Sequence, residues 1–284
     1  MKIYGKSTFS NDMFDKLNKG ANGIEIHLNN EFIDENFDFY KEFDLNLIDK
    51  VPIYVIHMPI IENIVDVETK KSREILKRIA KFGIYIANKQ NHDILLVTHL
   101  STSISTMKNL GIYNQIIFEL YQIVCMSPKI HIGIENITNF HQDKKRFNLY
   151  DVFQDNVQLA KDCKHPRIGS VLDICYALSD ISFLNYLQNY LTLPINKELT
   201  LDYYFKNNRD SIKLIHLANK IGNGSMENHG TPFTEKDLPL LEEILNLYNK
   251  YEYNCPITLE VQEKNYKDAK NFELTLENLK KILN

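Results

Sequence analysis

Eight short runs rich in Ile, Val and Leu recur along this 284-residue chain, and each is separated from the next by a longer segment. The runs are residues 2–4, 23–28, 53–58, 94–99, 130–136, 168–174, 212–217 and 257–261. Most are nearly continuous in branched apolar residues, which is typical of parallel strands buried on both faces. The spacing therefore predicts eight buried strands joined by crossover segments.

The segments between the runs carry apolar residues at helical spacing. Two clear examples are the set Leu76, Ile79, Phe82 and Ile86 and the set Ala269, Phe272, Leu276, Leu279 and Leu283. Residues three or four apart lie on one face of a helix, so each set predicts an amphipathic helix. Eight strand-helix units close most economically as an α/β fold of the (β/α)8 TIM-barrel type. An open doubly wound sheet is the rival, but the chain lacks its Gly-rich first turn.

Composition predicts one globular domain over residues 1–284. No Pro-, Gly- or Ser-rich linker divides the chain, and the long segment 181–208 is expected to add a helix to one crossover. The chain is 44% hydrophobic and 25% charged, as is ordinary for globular proteins. Its four cysteines form no CxxC pair, which argues against a zinc ribbon or a disulfide framework.

Net charge and hydropathy indicate where the protein is located and which classes of partner it binds. The formal net charge is −4, so no global positive field favours a nucleic-acid backbone. The N-terminal segment has no apolar signal core, and no run approaches the roughly 18 apolar residues that a membrane span needs. We therefore predict a cytoplasmic protein with no membrane partner; the sequence does not indicate an oligomeric state.

Ionisable residues close six consecutive apolar runs. They are His57 in IHMP, His99 in VTHLS, Glu135 in IGIEN, Asp173 in VLDICY, His216 in LIHLAN and Glu260 in ITLEV. In a (β/α)8 barrel the strand C-terminal ends meet at one mouth, where active sites are built. Three imidazoles and three carboxylates suit zinc, manganese, iron or cobalt, whereas an all-oxygen set would indicate calcium or magnesium. Buried carboxylates without a cation are costly, so the pattern predicts a metal centre.

Four further residues lie near the predicted mouth. Glu227 and His229 form a Glu-x-His pair in the loop after the seventh run, where both could reach one ion. A solvated loop is the alternative for this pair. Glu25 and His27, in GIEIHL, could face the barrel interior or the surrounding helices.

Seven segments resemble the xylose isomerase-like barrel superfamily, which contains endonuclease IV together with sugar and sugar-phosphate isomerases and epimerases. The matching segments are GANGIEIHL, IHMP, VTHLS, IGIENIT, VLDICYAL, IHLANKIGNGSMENHGTPF and PITLEVQE. They occur in the family order and span nearly the whole chain. The resemblance thus implies a xylose isomerase-like TIM barrel.

The epimerase-like branch implies one divalent ion held by residues that match Glu135, Asp173, His216 and Glu260. In that branch the metal polarises a carbonyl and its neighbouring hydroxyl, while Glu135 and Glu260 would act as acid and base. Tyr176 and Glu25 are the residues expected to contact the substrate. Endonuclease IV implies a zinc cluster bound by residues that match His57, His99, Glu135, Asp173, His216, Glu227, His229 and Glu260. The resemblance thus implies zinc or manganese, with one to three ions.

Departures from the family pattern favour the small-molecule branch. Tyr176 stands where both branches usually have His, and Ile60 stands where endonuclease IV usually has a DNA-facing Tyr. The first strand, in KIYGKSTFS, lacks the His typical of endonuclease IV. We therefore predict an isomerase or epimerase that acts on a small carbohydrate or sugar phosphate. Two alternatives are zinc-dependent cleavage of abasic DNA and, since Tyr176 alters the ligand set, a non-catalytic sugar-binding barrel.

Overall fold

Eight parallel strands close into a barrel in the computed structural model of this chain. The structure describes residues 1–8, 10–29, 37–42, 44–59, 69–100, 103–137, 154–191, 199–220, 229–264 and 268–283. The barrel strands are β1 (Ile3–Ser7), β2 (Gly23–His27), β3 (Ile53–His57), β4 (Ile94–His99), β5 (Ile130–Glu135), β6 (Ile168–Asp173), β7 (Ile212–Leu217) and β10 (Ile257–Leu259). Each pairs in parallel with its neighbours, and β1 closes the ring against β10. The (β/α)8 prediction is confirmed, and the open sheet is wrong.

Helices fill the crossovers between the strands. They are α1 (Asp12–Asn18), α2 (Phe39–Glu42), α3 (Leu45–Ile48), α4 (Lys70–Gln90), α5 (Ile104–Asn109), α6 (Tyr113–Cys125), α7 (Asp155–Asp162), α8 (Ile174–Leu191), α9 (Leu201–Asn208), α10 (Leu238–Lys250) and α11 (Lys270–Leu283). The extra helix expected in segment 181–208 is present, because α8 and α9 both precede β7. Within the described ranges, no helix combines the length and the apolarity that a membrane crossing requires.

Apolar faces of the helices pack against the outside of the barrel. The predicted face of α4 is buried, and so is that of α11 from Phe272 to Leu279. Leu283, the last residue of α11, was expected on the same face but is 52% exposed. Between β7 and α10, a short antiparallel hairpin of β8 (Asn219–Lys220) and β9 (His229–Thr231) stands beside the barrel mouth.

Inside the barrel, an apolar layer supports a polar one. The apolar layer contains Tyr4, Val55, Val97, Val171 and Leu214. Side chains two residues apart on a strand point to the same face, so the next inward residues are Lys6, His57, His99, Asp173 and His216. The strand ends therefore present their ionisable groups above this apolar layer.

Gly133 leaves room in this interior for the neighbouring strand. A Cβ atom at Gly133 would lie 2.5 Å from Cγ2 of Val171, which no real contact allows. We expect Gly133→Ala to lower the free energy of unfolding by about 1–3 kcal/mol, as overpacking does. Urea denaturation of Gly133→Ala, Val171→Ala and the double variant measures the coupling. The double variant should lose less than the sum of the two single losses; strict additivity would contradict this close approach.

Candidate functional site

The six ionisable residues predicted at the strand ends meet at the C-terminal mouth of the barrel. Donor atoms of Glu135, Asp173, His216 and Glu260 all lie within 4.8 Å of one another. Donor atoms of His57, His99 and Glu135 form a second group within the same limit. Atoms of Glu25, His57 and His216 form a third group within this limit, so the mouth offers three adjoining positions for a cation.

His57 turns one ring nitrogen towards the backbone and the other towards a carboxylate. Its Nδ1 lies 2.7 Å from the carbonyl oxygen of Met58, and its Nε2 lies 2.9 Å from Oε2 of Glu135. A carbonyl oxygen only accepts, so Nδ1 must carry the proton. Burial, and then the charge of Lys6, lowers the pKa of His57, which favours the neutral ring. The lone pair of Nε2 then faces a carboxylate oxygen, and a cation between them removes the repulsion.

His216 is surrounded by carboxylates on both sides of its ring. Its Nε2 lies 3.0 Å from Oε2 of Glu25, while its Nδ1 lies 2.7 Å from Oε1 of Glu135 and 2.8 Å from Oε2 of Glu260. Burial alone would lower the pKa of His216, but the carboxylates of Glu25, Glu135 and Glu260 raise it well above its ordinary value. One proton on Nδ1 can satisfy only one of the two oxygens that face it, whereas a divalent cation that displaced this proton could bind Nδ1 and both oxygens.

Glu135 lies at the centre of the site. Its Oε1 faces His216, and its Oε2 is 2.9 Å from Nε2 of both His57 and His99. Among the described residues, however, Nε2 of His99 and Oε2 of Glu260 make no hydrogen bond, although both atoms are buried. Burial would raise the pKa of Glu135, but the charges of His216 and His99 hold it well below its ordinary value. Buried donor atoms without hydrogen bonds, around an ionised carboxylate, fit a divalent cation.

Asp173 forms the side of the mouth nearest to α8. Its backbone is fixed by Asn136, whose side-chain oxygen accepts from the Asp173 amide at 2.7 Å. One carboxylate oxygen accepts from the Tyr176 amide at 2.5 Å, and the other lies 3.2 Å from Nε2 of His229. The rings of Tyr176 and His229 pack with their centroids 4.7 Å apart. Burial raises the pKa of Asp173 despite the charge of His229.

Lys6 is a residue of the mouth that the sequence analysis missed. Its Nζ lies 2.6 Å from Oε1 of Glu260 and 3.4 Å from Oε1 of Glu25. Burial alone would lower the pKa of Lys6, but these carboxylates and Glu135 raise it, so the group is a fixed cation. Strand β1 continues to Ser7, three residues beyond the predicted apolar run, so Lys6 lies near its C-terminal end.

The structure describes some, but not all, of the other residues that were predicted near the mouth. Glu25 and His27 both face the mouth, and the His27 ring lies 5.0 Å from that of His57 between centroids. Glu227 lies outside the described residues, as does Ile60, so the proposed Glu-x-His pair stays a prediction. His229 contacts Asp173, as described above.

No protein-family model matches the chain, and no curated protein sequence matches it. Solved structures do match over its length. A D-tagatose 3-epimerase-like protein is 18% identical, with 100% of this chain and 97% of that chain covered and a TM-score of 0.59. A sugar phosphate isomerase/epimerase from Parabacteroides distasonis is 12% identical, with 100% and 95% covered and a TM-score of 0.59.

A third similar structure is a xylose isomerase-like TIM barrel protein from Mycobacterium smegmatis in complex with magnesium. It is 13% identical, with 95% of this chain and 85% of that chain covered and a TM-score of 0.53. The chain has the xylose isomerase-like TIM-barrel fold. At sequence identities of 12–18%, the similarity to these structures concerns the fold alone. Within the xylose isomerase-like barrel of this chain, the buried His, Glu and Asp clusters at the mouth could bind a metal.

Proposed function

We propose that this chain is a divalent-metal-dependent enzyme that isomerises or epimerises a small carbohydrate or sugar phosphate. One observation carries the proposal. The neutral ring of His57 turns the lone pair of Nε2 towards Oε2 of Glu135 at 2.9 Å, and beside it three carboxylates and His216 bring donor atoms within 4.8 Å of one another. Such an arrangement of ionised groups is costly until a cation joins it.

The proposed ligands are the group that the sequence predicted. They are Glu135, Asp173, His216 and Glu260. Zinc or manganese suits this set of one nitrogen and several oxygens. When bound, the ion would polarise a substrate carbonyl and its neighbouring hydroxyl.

Glu135 and Glu260 are the proposed acid and base. Neighbouring cations hold the pKa of both carboxyls well below the ordinary value despite burial. Both groups are therefore ionised at neutral pH, as a base must be before it accepts a proton. One carboxylate would remove the proton from the carbon beside the carbonyl and become a carboxylic acid. In an isomerisation this acid would return the proton to the neighbouring carbon; in an epimerisation the other glutamate, once protonated from solvent, would deliver a proton to the opposite face of the same carbon. Tyr176, whose ring packs against His229 beside Asp173, is the proposed substrate contact.

The substrate class rests on the surroundings of the mouth and on the similar folds. Two of the solved structures are described as an epimerase-like protein and as a sugar phosphate isomerase/epimerase. The net charge of −4 provides no broad positive surface for a polyanion. A small neutral or singly phosphorylated sugar fits both facts better than duplex DNA does.

Hydrogen exchange tests the proposal without knowledge of the product. The purified chain, loaded with manganese, cobalt or zinc, would be incubated in deuterated water with a panel of sugars and sugar phosphates. We expect deuterium to enter the C–H position beside the carbonyl of at least one sugar, and a chelator to stop it. The absence of exchange across the panel would exclude the isomerase proposal; sugar binding without exchange would favour a non-catalytic barrel.

Cleavage of DNA beside an abasic sugar is the second candidate. One observation favours it: His57, His99 and Glu135 provide a second cation position that Glu135 shares with the first. Two adjoining metals can stabilise the attacking and leaving oxygens of a phosphodiester. A nicking assay on a duplex oligonucleotide with one abasic site decides this point. Zinc-dependent nicking supports the nuclease, and nicking that survives complete chelation contradicts its metal mechanism.

A further inference from the structure

Four side chains of the mouth form a closed ring of ion pairs. Lys6 contacts Glu260 at 2.6 Å and Glu25 at 3.4 Å, Glu25 contacts His216 at 3.0 Å, and His216 contacts Glu260 at 2.8 Å. His216 and Glu260 belong to the proposed ligand set. Lys6 and Glu25 do not: Lys6 is a cation, and Glu25 is not among the four residues that converge there, although its carboxylate lies within 4.8 Å of donor atoms of His57 and His216.

Both carboxylate oxygens of Glu25 face cationic side chains of the mouth. Its side chain is fully buried, with one oxygen beside His216 and the other beside Lys6. The Oε2 atom of Glu25 accepts from Nε2 of His216, which leaves Nδ1 as the only ring nitrogen available to a ligand. The ring is also unable to flip without losing this contact.

We propose that Glu25 is a positioning residue, which fixes the orientation and tautomer of His216 so that Nδ1 faces the divalent cation. This inference rests on the proposed metal centre, and it departs from the sequence-based expectation that Glu25 contacts substrate. Carboxylates that accept from the second nitrogen of a metal-binding His orient the ring and increase its basicity as a ligand. Lys6 supports the arrangement through its charge: its Nζ lies 3.4 Å from the other oxygen of Glu25, a buried atom that makes no hydrogen bond among the described residues.

Zinc affinity of the full chain, measured by calorimetry, tests the inference through two variants. Glu25→Gln retains an acceptor for Nε2 but loses the charge, whereas Glu25→Leu loses both. We expect zinc to bind about 10-fold more weakly to Glu25→Gln and about 100-fold more weakly to Glu25→Leu. A simple field effect predicts equal weakening, since both variants lose one negative charge. Equal dissociation constants would therefore overturn the inference.

A third variant separates the effect of the position of the carboxylate from a general loss of folding. Glu25→Asp keeps the charge but is one methylene shorter, so the contact with His216 is lost or lengthened. We expect about 10-fold weaker zinc binding here too. Unchanged affinity in Glu25→Asp would contradict a positional role. Glu119→Gln is the matched control, because Glu119 forms an ion pair with Arg73 at 2.9 Å among the outer helices; its zinc affinity should equal that of the wild type.

Nitrogen NMR of zinc-loaded protein, labelled in its histidines, adds a readout that is independent of affinity. In the wild type we expect His216 to carry its proton on Nε2, and in Glu25→Leu we expect that proton to exchange faster with water. If Nε2 of His216 carried no proton in the zinc-loaded wild type, the inference about Glu25 would be overturned and the proposed metal function would stand. A wild type that binds no zinc would overturn the proposed metal function, and this inference with it.

Discussion

Replacing Glu135 by Gln is expected to reduce turnover by about 1,000-fold, within the 10²–10⁴ range of a general acid or base. Glu135 also belongs to two of the three candidate cation positions, so the variant should bind less metal as well. Exchange kinetics on the sugar found active, together with elemental analysis of the purified protein, measure both effects.

The control for Glu135→Gln is again Glu119→Gln, which removes a carboxylate from an ion pair outside the mouth. It should retain wild-type turnover and metal content. If Glu135→Gln kept both values near those of the wild type, Glu135 would be neither a ligand nor an acid-base group, and the proposed mechanism would fail.

Lys6→Met is expected to have the second large effect, and the effect should depend on metal. Lys6 is the fixed cation between Glu25 and Glu260, and it is nearly buried. Loss of one partner from a buried ion pair costs about 3–5 kcal/mol, because the remaining charge is uncompensated. We expect this loss in the metal-free protein. With zinc or manganese in excess the loss should be much smaller, because the bound ion replaces the missing positive charge and binding stabilises the folded state.

Chemical denaturation of the wild type and of Lys6→Met, each with and without metal, measures these losses of stability. Lys250→Met is the matched control, since Lys250 pairs with Asp202 at 2.6 Å but is 58% exposed. Exposed pairs contribute about 1 kcal/mol or less, so this variant should change little in either state. Equal destabilisation of Lys6→Met with and without metal would mean that no cation joins the same carboxylate cluster.

The strands and most of the site were predictable because two simple patterns coincide. Apolar runs mark strands that are buried on both faces, and the ionisable residue that ends each run lies at the mouth of a barrel. This reasoning brought His57, Glu135 and Asp173 together although they are far apart in sequence. The closed barrel follows from these patterns, whereas its xylose isomerase-like character was predicted from the resemblance of seven sequence segments.

Other features depend on geometry that the sequence does not show. Lys6 was missed because β1 leaves its apolar run and continues through Gly5 and Lys6. The side to which Glu25 points was ambiguous, since the register of β2 shifts against β3 between Ile24 and Glu25. The tautomer of His57 is set by the backbone oxygen of Met58, a contact that no residue pattern encodes.

Anomalous diffraction from crystals grown with zinc tests the central claim most directly. We expect a peak within about 2.0–2.2 Å of donor atoms from Glu135, Asp173, His216 and Glu260. A second peak beside His57 and His99 would strengthen the nuclease alternative. Crystals in which zinc occupies other surface sites, while these four side chains keep only one another as partners, would contradict the account.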